Sequence, residues 1–274
     1  MSLTPEQIAK FHEDGFLALD RILTEAQVEK ARAAVHRLFR GEYTHDRRPP
    51  EYRTPRRVYK EGETVARHTV NGRFLDADLW DISTDPRIAE MAAQLLDTPS
   101  LSLMEDQLVE KVPGGAPIAM HQDAPYLTFL RSWDVMNLWI SLVDLTIDMS
   151  PLLCIRGSHK WPVSAKPKHF ADGTDADLME VVSDACPPGE TAEVVPVLVP
   201  AGGGAFFGAL TMHGSECNRS DKTRYAYTLH YAAETTTADI HRWPANYEPY
   251  VVEGIADGGR VTSKFMPIVY PPQR

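Results

Sequence analysis

His121-Gln122-Asp123 places an imidazole and a carboxylate two positions apart. In a strand, side chains two apart share a face, so both donors are presented together. Such a pair suits a divalent first-row metal. His213 follows ninety residues after Asp123, at the end of the apolar run Ala205–Leu210. A third donor arriving from another strand completes a face of three and leaves three coordination positions open. A zinc site is more often closed, tetrahedral and, if structural, cysteine-containing. Cys154, Cys186 and Cys217 lie far apart and form no Cys-x-x-Cys pair. His-x-Asp alone is a common surface pair; the set His121, Asp123 and His213 carries the metal expectation.

Two histidines and one carboxylate with open positions are the arrangement of non-haem iron(II) oxygenases. Arg224 lies eleven residues beyond His213, across the turn signal Asn218-Arg219-Ser220-Asp221. That turn predicts that its flanking strands return antiparallel and bring Arg224 back toward the metal. A guanidinium inside a barrel needs a counter-charge, and a bidentate carboxylate is its best partner. A metal with open positions and an arginine placed for a carboxylate ask for a dicarboxylic co-substrate. 2-Oxoglutarate fits, its keto-acid end chelating iron(II) and its far carboxylate meeting Arg224.

The combination of His121-x-Asp123, Arg156-Gly157-Ser158-His159, His213-Gly214-Ser215, Asn218-Arg219-Ser220 and Arg224 resembles the phytanoyl-CoA dioxygenase-like branch of the iron(II)/2-oxoglutarate-dependent oxygenases. The resemblance spans roughly Thr4 to Tyr231 and includes Gly15-Phe16 after the opening helix. It implies a double-stranded β-helix, a jelly-roll or cupin-like core, with iron(II) on His121, Asp123 and His213. It implies that Arg224 and Ser215 hold the 2-oxoglutarate carboxylate, that O2 is the second co-substrate, and that Trp139 and Met104 face the co-substrate. Where the family usually reads Pro-Gly-Ser-His, this chain has Arg156 first. Met149-Ser150-Pro151 stands where Asn-Gly is frequent, and Gly202-Gly203 where Gly-Asp is frequent. These departures touch the loops near the pocket and no metal ligand. Halogenating members carry a small residue in place of the aspartate, so the presence of Asp123 argues against halogenation.

In Leu103–Leu108, Met104 and Leu108 resemble the family's co-substrate-facing positions, and strand alternation then sets Asp106 in the pocket as a substrate contact. Tyr126, Phe129 and Trp133 form an aromatic cluster after the metal motif on which a flat or apolar substrate would lie, with at least one expected in the core. His230 shares strand parity with Arg224 and is a further interior candidate. His159 is expected to organise a turn, and His12, His36 and His169 need no role.

The elements that must position these residues fall into two textures. Residues up to about 100 read as helical. Thr4-Pro5-Glu6-Gln7 is a capping box, Thr24-Glu25-Ala26-Gln27 repeats it ahead of Val28, Ala31, Val35 and Leu38, and Asp85-Pro86 opens a third helix with Ile88, Met91 and Leu95 on one face. Gly41 to Arg57 is an Arg- and Pro-rich surface loop. From about 101 to 235 the runs Leu101–Val112, Val135–Leu145, Val194–Val199, Ala205–Leu210 and Tyr225–Tyr231 are short and rich in β-branched and aromatic residues. Ser164–Glu193 is a long polar loop, expected to close over the substrate. Residues 236–274 form a C-terminal extension, and the whole reads as a single domain, mainly β with flanking helices.

Lys and Arg sum to 28 against 38 Asp and Glu, a formal net charge of −10. Phosphate contacts need clustered cations, so nucleic acid is an unsuitable partner, and anionic membranes would repel the chain. Val194–Leu210, the most apolar stretch, is interrupted by Pro196, Pro200 and Gly202–Gly204 and is too short to span a bilayer. No leader is expected, and the scattered cysteines suit a reduced cytoplasmic setting. The expectation is an iron(II)- and 2-oxoglutarate-dependent dioxygenase, monomer or small homo-oligomer, that oxidises an unactivated C–H bond of a small molecule. A hydroxylase comes first; cyclisation, epimerisation and desaturation are other tailoring outcomes in secondary metabolism. The alternatives are a non-oxidative metal-dependent isomerase or lyase of cupin type, and a non-catalytic binding protein on the same scaffold.

Overall fold

The computed structural model describes residues 2–48, 67–243 and 254–272. Helix α1 (Pro5–Asp14) begins where expected: the Thr4 side chain accepts from the Gln7 N–H, and the Gln7 side chain takes the Thr4 N–H. Thr24 and Gln27 do the same for α2 (Glu25–Phe39). Asp76 caps α3 (Ala77–Ser83), and Asp85 caps α4 (Pro86–Leu95), whose first residue is a proline. Caps of this kind stabilise a helix by about 0.5–2 kcal/mol each.

The strands are β1 (Phe16–Leu19), β2 (Arg67–Val70), β3 (Leu101–Lys111), β4 (Ile118–His121), β5 (Val135–Ser141), β6 (Leu153–Ile155), β7 (Val194–Pro196), β8 (Gly204–Gly208), β9 (His213–Ser215), β10 (Arg224–Ala233) and β11 (Ile268–Tyr270). They form two antiparallel sheets. The larger has the order β1-β8-β5-β10-β3-β11, with β2 also on β3; the smaller has the order β4-β9-β6-β7. This is the jelly-roll core expected from the sequence. β1 and β2 were not foreseen in the helical part, nor β11 in the C-terminal extension. The expected loop from Gly41 to Arg57 lies partly outside the described residues.

The helices cover the outer face of the large sheet. Val35 and Leu38 of α2, Leu79 and Ile82 of α3 and Ile88 and Met91 of α4 pack with Leu103, Leu108, Leu138, Phe206 and Leu229. Between the sheets lie Phe16, Trp139, Leu152, Val197 and Phe207. Gly15, which ends α1, has φ +86, and a Cβ there would lie 2.2 Å from His159 Nδ1. His159, on the turn after β6, contacts the His12 carbonyl at 3.2 Å, so its side chain seats the end of α1. Arg156, the departure from the family pattern, pairs with Asp14 and with Glu193 Oε2 (2.9 Å for the latter). It clamps α1 to the smaller sheet.

Two expectations about strands need correction. The turn at Asn218–Asp221 does not join a hairpin: β9 pairs with β4 and β6, and β10 pairs with β3 and β5. The chain crosses there from one sheet to the other. In addition, β3 is not regular. His230 lies opposite Glu105 but Tyr231 lies opposite Leu103, so Met104 is an extra, bulged residue.

The 164–193 segment is docked. The Ala119 N–H bonds the Phe170 carbonyl at 2.9 Å and the Met120 N–H bonds the Leu178 carbonyl at 2.8 Å, along the free edge of β4. Leu178, Val181 and the short helix α5 (Val182–Ala185) pack on Met120, Ile155 and Met212 behind the smaller sheet.

Candidate active site

His121 and His213 lie directly opposite each other on the paired strands β4 and β9. Their ring centroids are 4.2 Å apart. Each Nδ1 contacts a backbone carbonyl two residues earlier in the chain, Ala119 at 2.8 Å and Thr211 at 2.9 Å. A carbonyl only accepts, so Nδ1 carries the hydrogen and each Nε2 keeps a free lone pair. Strand β4 ends at His121, so Asp123 does not share a strand face with it. It arrives from the following turn, where its N–H bonds the Ala209 carbonyl at 2.9 Å. Asp123 Oδ1 lies 3.6 Å from His121 Nε2 and 3.9 Å from His213 Nε2. One donor atom from each residue falls within 4.8 Å of the others.

Asn137 on β5 was not foreseen. Its amide donates to Asp123 Oδ2 and leaves Oδ1 facing the imidazoles. The available signal was a polar residue in the apolar run Val135–Ile140, at the same parity as Trp139. Burial pushes the Asp123 carboxyl up, but His213 and His121 outweigh it and hold the group below the ordinary carboxylate range. Burial, and then His121 beside it, push His213 down to about 4. His213 is therefore a neutral donor near neutral pH. Two imidazole nitrogens and one carboxylate oxygen, converging from one side, fit a divalent iron with an open face.

That open face looks into a cavity of about 420 Å³. Its floor is the inner face of the large sheet, and the register sets side chains there in rows. Glu105, His230 and Asn137 form one row; Gln107, Thr228 and Trp139 form the next; Lys111 and Arg224 form the last. Arg224 is 3% exposed. Its Nε has no hydrogen-bond partner, and no ion pair reaches its guanidinium among the described residues. Its Cζ lies 5.5 Å from the Trp139 ring centroid, and burial pushes its pKa down to about 10. A buried guanidinium without a carboxylate is costly and calls for an anionic ligand.

Trp139, Ser215, Tyr126, Phe129 and His230 all line this cavity. Phe129 is also core, packed with Trp243 at 4.3 Å between rings. Trp133 lies outside, 39% exposed. Met104 does not reach the cavity: it packs with Phe74, Phe129 and Val135 at the closed end of the barrel. Asp106 is not in the pocket either. It points to the helix side, where Arg73 Nη1 pairs with it at 2.7 Å and the Tyr227 hydroxyl donates to it at 3.1 Å. The alternation rule put it inside only because the bulge at Met104 is invisible in sequence. The inward residues on β3 are Glu105, Gln107 and Val109. Phe170, from the docked 164–193 segment, completes the wall with its ring 4.7 Å from His121 and 5.7 Å from Tyr126.

Comparison with known proteins gives a consistent picture. The sequence profile of the family described as phytanoyl-CoA dioxygenase (PhyH) matches residues 11–226. The peroxisomal phytanoyl-CoA dioxygenase of Rattus norvegicus is 23% identical over 241 residues, 84% of this chain and 69% of that protein. The ectoine dioxygenase of Bordetella bronchiseptica is 23% identical, over 90% of this chain and 81% of its own. Among solved structures, the non-heme alpha ketoglutarate dependent carbocyclase SnoK from nogalamycin biosynthesis superposes with a TM-score of 0.71, 20% identity, and coverage of 97% and 96% of the two chains. The epimerase SnoN, in complex with Fe3+, alpha ketoglutarate and nogalamycin RO, gives a TM-score of 0.71 at 21% identity, covering 96% and 97%. At that identity the likeness to solved structures is one of fold.

Proposed function

The chain belongs to the phytanoyl-CoA dioxygenase family, and from that premise we propose that it is an iron(II)- and 2-oxoglutarate-dependent oxygenase that oxidises a C–H bond of a small organic molecule. The observation that carries the reading is the pairing of a converging His121–Asp123–His213 set with a buried Arg224 that has no ion pair among the described residues, across the same cavity. Bound iron, with 2-oxoglutarate and O2, supplies the oxidising chemistry, with succinate and carbon dioxide as by-products. The chain's residues do the rest. His121 and His213 offer Nε2 because Ala119 and Thr211 hold Nδ1. Asn137 keeps Asp123 turned toward them. Arg224 binds the far carboxylate of 2-oxoglutarate, beside the Trp139 ring and the Ser215 hydroxyl. Tyr126, Phe129 and Phe170 shape an apolar wall that excludes water and orients the substrate.

Hydroxylation is the lead outcome. The structural neighbours include a carbocyclase and an epimerase of antibiotic biosynthesis, which supports a tailoring step in secondary metabolism as the setting. A non-oxidative metal barrel leaves Arg224 without a purpose. The test is iron-dependent conversion of 2-oxoglutarate to succinate. Activity should appear with wild type, vanish with His121→Ala, and require more 2-oxoglutarate with Arg224→Ala. Succinate formation that ignores both substitutions would overturn the reading.

A further inference from the structure

Lys111 is fully buried at the end of β3, directly opposite Arg224 on β10. Like charges facing each other across strands are destabilising. Among the described residues neither cation has a carboxylate within ion-pair distance. Lys111 Nζ instead donates to three neutral oxygens: Ser150 Oγ at 2.9 Å, Ser215 Oγ at 2.8 Å and the Glu216 carbonyl at 2.8 Å. Burial and the facing Arg224 push its pKa well below the ordinary lysine range, so an anion arriving at this end is what holds it as an ammonium; its three hydrogens are then all donated and it cannot itself bond a ligand. It does have a consequence for Ser215, which is 4% exposed and borders the cavity. With its oxygen receiving a hydrogen bond from Lys111, the Ser215 hydroxyl is left to donate its own hydrogen elsewhere. The neighbouring Asp175 and Glu216 carboxylates are engaged by Arg219. Among the described residues the Lys111–Arg224 pair therefore has no carboxylate in contact; Asp175, itself paired with Arg219, acts on Lys111 only from a distance.

Resting on the oxygenase reading above, we propose that Lys111 is a positioning residue for the dicarboxylic co-substrate: it turns the Ser215 hydroxyl toward the far carboxylate and adds a second positive charge behind Arg224. The end of the cavity is then built for a full negative charge, not merely for a polar group. That selects a 2-oxo diacid over a 2-oxo monoacid of the same length.

The test compares 2-oxoglutarate with 2-oxopentanoate, which keeps the keto acid and replaces the far carboxylate by a methyl. Binding is measured by calorimetry on manganese(II)-loaded protein, so no turnover is needed. Wild type should prefer the diacid strongly. Lys111→Met should weaken 2-oxoglutarate by about tenfold and leave 2-oxopentanoate unchanged, since a lost charge-assisted contact acts on the charged end alone. Lys111→Arg should restore most of the preference. Lys111→Gln keeps a donor for Ser215 without the charge and serves where the Met variant does not fold; it should lose the charge-dependent part of the preference. Equal weakening of both acids, or an undiminished preference in Lys111→Met or Lys111→Gln, would overturn the inference. A wild type with no preference for the diacid would instead overturn the oxygenase reading on which it rests.

Discussion

Two imidazoles and a carboxylate face one another at His121, His213 and Asp123, and burial beside His121 keeps the His213 ring neutral. His213 titrates near 4 in the fold against an ordinary value near 6.5. Its folded form therefore binds fewer protons than the unfolded chain between those values, and stability falls as pH drops through that window. The metal-free protein should lose on the order of 2 kcal/mol through this residue between pH 7 and pH 5. Denaturant unfolding of wild type and His213→Asn at both pH values checks this; a variant with the same pH slope as wild type contradicts it. Asn137 acts on the site through Asp123. Asn137→Ala should lower metal affinity by about 10- to 100-fold with the fold intact, as read by metal titration. The set His121, Asp123 and His213 was legible in sequence as a candidate because its residue types and order are unusual together. Asn137 was not, because nothing in the chain says which side chain will stand behind Asp123. Lys111 was hidden for the same reason: its meaning depends on Arg224 lying opposite.

Elements turn these residue types into a site, and several devices do so locally. The bulge at Met104 makes Glu105 and Gln107 the inward residues and sends Asp106 to Arg73. Asp106→Ala orphans a fully buried guanidinium and should cost about 3–5 kcal/mol. 2-Oxoglutarate affinity should be unchanged, because the pair lies behind the sheet. A variant of normal stability with weakened co-substrate binding would place Asp106 back in the pocket. The helix starts were readable because a capping box is a four-residue pattern, and so were the long strands, because β-branched runs are continuous. Strand β1 was not: Phe16–Leu19 is four residues long and looks like the tail of a helix. It pairs with β8 only once Gly15 has turned the chain against His159. Gly15→Ala meets both a positive φ and a Cβ contact of 2.2 Å. It should lower stability by about 1–3 kcal/mol, measured as a reduced thermal midpoint. The 164–193 segment was foreseen as a cover. That Phe170 is its contribution to the wall follows from the bond between its carbonyl and Ala119, a contact distant in sequence. Phe170→Ala should raise succinate formation uncoupled from substrate oxidation, since water then reaches the open face.

At the scale of the whole molecule, two sheets of unequal size enclose a cavity between apolar layers, with helices behind the larger sheet and a docked segment behind the smaller. The candidate metal ligands come from the small sheet and the turn at its edge, and Arg224 comes from the large one, so the candidate site exists only when the two sheets close on each other. That division was invisible in sequence, where the Asn218–Asp221 turn read as a hairpin; the crossing between sheets depends on pairings formed by residues a hundred positions away. The net charge of −10 sharpens the contrast with the cavity end at Lys111 and Arg224, which is locally positive. No helix among the described residues is long and apolar enough to cross a membrane. With the His121, Asp123 and His213 donors on one wall and Arg224 on the other, the cavity is a candidate seat for iron and 2-oxoglutarate together. The most direct test is anaerobic addition of iron(II) and 2-oxoglutarate to metal-free protein, followed by visible absorption of the chelate. Wild type should give a charge-transfer band, His121→Ala none, and Arg224→Ala a band that needs about tenfold or more 2-oxoglutarate. No band at saturating iron and 2-oxoglutarate, or a band indifferent to both substitutions, would contradict that reading.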